Sequence, residues 1–183
     1  MVHLKNSGFA PTDAKTLLAR ADQLTSEMDD VVVRDMRVST KHLEFDVSVK
    51  KEELDKVIKK FESIGSLDDA RHVVEEKIEK EEALKRARKY FDDERYWECH
   101  EVLEGVWKKT HEGEKDLVQG IILVAAALVH YQKNENEICL SIMKRAMEKL
   151  SSASGIYHDV DMDKFRKTTE KIISSQKIEP FKI

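Results

Sequence analysis

Residues 31–49 read VVVRDMRVSTKHLEFDVSV, and this stretch decides the fold class. Its second half, His42-Leu43-Glu44-Phe45-Asp46-Val47-Ser48-Val49, alternates polar and apolar side chains. A period of two sends alternate residues to opposite faces, so the pattern predicts a half-buried strand. Val31-Val32-Val33 and Met36 to Val38 form a β-rich run before it, and Ser39-Thr40-Lys41 is short enough to turn a hairpin.

Helices are predicted on both sides of this hairpin. Val2, Leu4 and Phe9 indicate an opening strand, ended by Asn6-Ser7-Gly8. Thr12 or Asp13 then caps a helix carrying Ala14, Leu17, Leu18, Ala21 and Leu24. Leu54, Val57, Ile58 and Phe61 mark a second helix stopping near Gly65, and a final strand is expected around Ala70 to Val74. The order βαββαβ is that of a ferredoxin-like module. Such a module does not define a function. It contains no phosphate loop, no GxGxxG and no paired-aromatic RNA platform, and it reads as an interaction or oligomerisation module.

From residue 78 to about residue 174 the periodicity is helical only, with helices expected around Ala83–Phe91, Tyr96–Lys109, Asp116–Tyr131 and Glu137–Leu150. Ser151 to Gly155 is a linker, and Asp161 or Asp163 opens a last helix reaching Ile173. The chain is therefore expected to be α+β: a ferredoxin-like module over residues 1–76, then an all-α bundle over 77–183. A faint internal repeat aligns Cys99, Val102, Leu103, Val106 and Trp107 with Cys139, Ile142, Met143, Ala146 and Met147. Each half then forms a helix hairpin. Two copies are too few for a solenoid, so the repeat reads as pseudo-symmetry of a compact bundle.

The chain has 183 residues, 32 basic and 36 acidic, for a net charge of -4. Nucleic-acid binding is disfavoured, because neither half carries the basic excess it needs. Two cysteines, Cys99 and Cys139, make no disulfide framework and no CxxC pair. The apolar run from Ile121 to Val129 is far short of the roughly 20 residues of a membrane helix, and no signal peptide is evident. A cytoplasmic protein is expected, without membrane or nucleic-acid partners.

The chemistry-bearing segment is the helix beginning at Tyr96. On a helical wheel Trp107, His100, Glu104 and Trp97 follow Tyr96 around one side. This places His100 in the apolar arc with Glu104 one turn on, while Glu98 and Glu101 fall on the wetter side. A buried His–Glu pair must be satisfied. Three arrangements do so: a structural lock between helices, a divalent-metal site on His100 and Glu104, or a general base at His100 oriented by Glu104. His-Glu-Val-Leu-Glu lacks the second histidine of an HExxH protease helix, which excludes that reading. Gln119 and His130 lie on one stripe of the third helix of the bundle, about 16 Å apart along its axis, so at most one can meet His100. His111 reads as a loop residue, and His3, His42, His72 and His158 have no partner spacing and read as incidental. Cys99 and Cys139 read as small core residues.

The stretch Tyr90-Phe91-Asp92-Asp93-Glu94-Arg95-Tyr96-Trp97-Glu98-Cys99-His100-Glu101-Val102-Leu103-Glu104-Gly105-Val106-Trp107 resembles the signature of the domain of unknown function 309 family. So does Gln119-Gly120 opening a helix rich in small apolar residues. The resemblance covers about residues 80 to 150. Cys99 stands where a smaller residue is usual and Gly105 where a larger one is, and neither change touches His100, Glu101, Glu104 or Trp107. The resemblance implies a compact helical fold found in archaea and bacteria, and it implies no activity.

The leading expectation is thus a binding or assembly protein built on a helical bundle with a buried His–Glu pair, self-associating as a homodimer or binding another protein. The alternative is a small-molecule hydrolase or metal-dependent enzyme, with His100, Glu101 and Glu104 as catalytic candidates and His100 and Glu104 as metal ligands. Trp107, Gln119 and His130 are candidate binding residues. No cofactor is fixed by the sequence beyond that candidate divalent metal.

Overall fold

The computed structural model describes residues 1–73, 78–111 and 113–183. The chain divides into two compact units, Met1–Glu75 with Gln132–Asn134, and Glu76–Tyr131 with Glu135–Ile183. The expected boundary at 76/77 lies outside the described residues.

In the first unit the order is β1 (Val2–Lys5), α1 (Ala14–Thr25), β2 (Val32–Val38), β3 (His42–Ser48), α2 (Leu54–Phe61) and β4 (Leu67–Ala70). The strands form one sheet in the order β2-β3-β1-β4, and every neighbouring pair is antiparallel. Ser39 closes the β2–β3 hairpin: its hydroxyl accepts from His42 N at 2.8 Å, and its own amide donates to His42 O at 2.9 Å. Asn6 ends β1 by accepting from the amides of Gly8 and Phe9, which keeps Phe9 out of the strand. Asp13 precedes α1, but its carboxylate accepts from Ala10 N across the turn Pro11–Asp13 rather than capping the helix. The last strand lies three residues earlier than the expected run, and Val74 lies outside the described residues.

Val2, Leu4, Met36, Val38, Leu43 and Phe45 share the apolar face of the sheet with Leu17, Ala21, Val57 and Phe61, and the rings of Phe45 and Phe61 are 4.8 Å apart. The alternation in β3 is real, but its second face is wet only toward its end. His42 is 5% exposed and Glu44 2%, so the first half of the strand is buried on both sides, while Asp46 is partly covered and Ser48 exposed.

The second unit consists of α3 (Lys80–Asp92), α4 (Tyr96–Trp107), α5 (Lys115–Gln132), α6 (Asn136–Lys149), a two-residue hairpin β5 (Ile156–Tyr157) and β6 (Val160–Asp161), and α7 (Met162–Ser175). Its core joins Leu84, Phe91, Tyr96, Leu103, Leu128, Met143 and Phe165, among others. Helix α5 runs through it, with Val118, Val124, Ala125, Ala127 and Leu128 wholly buried. A Cβ on Gly120 would sit 2.4 Å from Leu150 Cγ, so the glycine is what admits this close approach. Asp161 caps α7, accepting from Lys164 N at 2.9 Å. The β5–β6 hairpin turns on His158 and Asp159, both at positive φ. That turn normally announces itself as Asn-Gly, and its absence hid the hairpin in the sequence.

The internal repeat is a repeat of turns. Glu94 has φ 60° and Asn134 φ 62°. Beyond them Arg95 N donates to Tyr90 O, and Glu135 N to His130 O, each at 2.9 Å. Both helix hairpins therefore close in the same way, at the same offset as the paired cysteines. No helix among the described residues is long and apolar enough to cross a membrane.

Candidate functional site

Helix α4 buries Tyr96, Glu98, Cys99, Leu103 and Val106. On the wheel these residues centre well to one side of His100. The apolar arc that would place His100 inward includes Trp97 and Trp107, and both are only partly covered. The His100 side chain is 25% exposed and those of Glu101 and Glu104 are each 45% exposed. The pair is a surface pair, which corrects the buried His–Glu pair expected from the sequence.

The three side chains do come together. Glu101 Oε1 lies 3.3 Å from His100 Nδ1, and Glu104 Oε1 lies 3.4 Å from His100 Nε2. The carboxylates thus take opposite nitrogens of one ring. A single ion cannot be shared by the imidazole and both carboxylates in this geometry, because each oxygen approaches a different edge. The apolar cavity of this unit is lined by Leu84, Ala87, Cys99, Leu103, Ile121 and Ile183 among others, and His100 is not part of its wall.

Trp107 lies at the end of α4 with Lys115 Nζ 4.3 Å above its ring centre, a cation–π contact within the chain. Gln119 is half-buried on α5, and no hydrogen bond joins it to His100 among the described residues. His130 is engaged at the end of α5, with Nδ1 2.5 Å from Glu135 Oε2. His111, His72 and His158 are exposed.

The buried charge on α4 is Glu98, placed by the sequence on the wet side. It is fully buried, and Arg95 grips it with Nη2 donating to Oε1 at 2.6 Å and Nε donating to Oε2. Cys99 and Cys139 are buried, as expected of core cysteines, and burial pushes both thiols up, that of Cys139 to about 12.

Two histidines read as incidental are not. On the polar face of the first unit's sheet, His3 Nε2 lies 3.1 Å from Glu44 Oε2, and Arg37 Nε donates to Glu44 Oε1. Arg37 Nη1 donates in turn to Asp35 at 3.0 Å, and the rings of His3 and His42 meet edge to face at 5.1 Å. Burial alone would raise the Glu44 carboxyl. Arg37 and His3 outweigh it and hold the carboxyl at about 2. Strand pairing assembles this cluster from residues distant in sequence, and no local spacing signals it.

Fold and site together define a two-unit α+β protein whose helical unit presents a His–Glu–Glu surface on one helix. Residues 84–142 of that unit match the family model described as Domain of unknown function (DUF309). The match falls within the stretch that carries the motif resemblance. No curated protein matches the chain.

Proposed function

We propose that this is a cytoplasmic assembly protein that self-associates as a homodimer through the exposed face of α4. The carrying observation is that His100, Glu101 and Glu104 form an acidic, solvent-reachable face, and that none of the three lines the apolar cavity of this unit. A general base works in a pocket that holds its substrate and excludes water. A helix face of this kind supports docking instead.

Charge complementarity supports a second copy as the occupant. Helix α7 carries the exposed lysines Lys164, Lys167 and Lys171 on one stripe. In a two-fold dimer each copy's acidic α4 face can meet the other's basic stripe, which satisfies the reciprocity such an interface requires. The hydrolase alternative draws no support from the His100 geometry, in which the two carboxylates take opposite ring nitrogens.

The test is the mass in solution, by light scattering on a sizing column. The wild type is expected to elute as a dimer that dissociates with added salt. Glu101→Lys with Glu104→Lys is expected to be a folded monomer. A monomeric wild type at micromolar concentration overturns the proposal.

A further inference from the structure

We propose that His3, His42 and Glu44 form a binding site for one divalent transition-metal ion of the zinc type, separate from the α4 face. The three residues come from β1 and β3 and share one face of the sheet. The register sets His3 opposite Glu44 and Lys5 opposite His42, and His42 and Glu44 are alternate residues of the same strand. A rigid sheet holds such side chains in place better than a loop does.

All three are removed from water, at 1%, 5% and 2% exposure. One ligand atom from each lies within 4.8 Å of the other two. A tetrahedral ion with bonds of 2.0–2.1 Å needs its ligands about 3.4 Å apart, so binding draws the three ligand atoms together by up to about 1.4 Å. Two imidazoles and one carboxylate suit zinc and leave a fourth position open for water or a small ligand. Calcium and magnesium want a shell of oxygens that this cluster lacks.

Arg37 fits this reading as an outer-shell partner. Its Nε engages Glu44 Oε1, while Oε2 is the oxygen turned toward His3. Carboxylates that bind metals are commonly oriented by such a hydrogen bond. Asp35 holds the same guanidinium from its other side. With neutral imidazoles, the form that ligates a metal, Glu44 supplies the one anionic ligand, while Asp35 on the far side of Arg37 is also paired with Lys133 at 3.2 Å.

The experiment titrates the untagged full chain, prepared without chelators, with Zn2+ alone and follows Co2+ substitution by visible absorption. One equivalent of Zn2+ per chain is expected, with Co2+ bands of a low-coordinate nitrogen–oxygen site. His42→Ala is expected to weaken binding by more than about 100-fold, whereas His100→Ala leaves it unchanged. If His42→Ala does not fold by circular dichroism, His42→Gln is expected to show the same loss on a folded chain. A wild type that takes up no stoichiometric Zn2+, or binding that survives in a folded His42 variant or disappears in His100→Ala, overturns the proposal.

Discussion

Glu98 and Glu104 stand on the same helix and meet different fates. Glu98 is fully buried and gripped by Arg95, while Glu104 is 45% exposed beside His100. Loss of a partner to a buried charge is costly, and loss of an exposed one is not. Arg95→Ala is therefore expected to lower stability by about 3 kcal/mol in urea denaturation, and Glu104→Ala by less than about 0.5 kcal/mol. Equal effects would contradict the burial pattern. Glu44 gives a pH signature. Its folded carboxyl is held at about 2, below the 4.5 of an unfolded chain, so it stabilises the fold above that upper value. The stabilisation is lost as pH falls through the lower one, amounting to about 3 kcal/mol over that window. Glu44→Gln is expected to flatten the acid limb of the stability–pH curve. An unchanged acid limb would mean that Arg37 and His3 do not hold the charge.

At the scale of elements, the legible features were local and the hidden ones were not. Alternation through β3 and the helical spacing of Leu17, Ala21, Val57 and Phe61 lie within single elements, and those elements formed as expected. The buried arc of α4 is offset from His100 because Trp97 and Trp107 are only partly covered, as large aromatics often are. The polar cluster was invisible because His3 reaches Glu44 across 41 residues of chain. The repeated turns at Glu94 and Asn134 explain why the cysteine offset meant something. A left-handed residue closes each helix hairpin, a conformation that disfavours a Cβ but suits Asn. Asn134→Ala is expected to cost about 1 kcal/mol, and Asn134→Gly to cost nothing or stabilise slightly, in thermal melts. Gly120→Ala forces a methyl into Leu150, with an expected loss of about 2 kcal/mol. A neutral result would show that Leu150 yields freely.

For the whole molecule, the α+β class follows from two kinds of periodicity in one chain, period two confined to the first unit and helical spacing dominating the second. Each unit builds its own hydrophobic core. What the sequence could not convey is which polar residues face water, since that depends on surfaces the fold brings together. Glu104, expected in an interior site with His100, lies outside, while His3 and His42, read as incidental, lie inside. The account therefore moves the interaction face to α4 and the candidate metal chemistry to the sheet.

Its central claim is that the α4 face joins two copies of the chain, and solution mass tests it most directly. Three samples suffice: wild type, the charge reversal of Glu101 and Glu104, and that reversal mixed with a chain carrying Lys164→Glu, Lys167→Glu and Lys171→Glu. The account predicts a dimer for the wild type, a monomer for the reversal alone, and recovered dimer in the mixture. A wild-type monomer, or a dimer indifferent to reversal of the α4 charges, would contradict it.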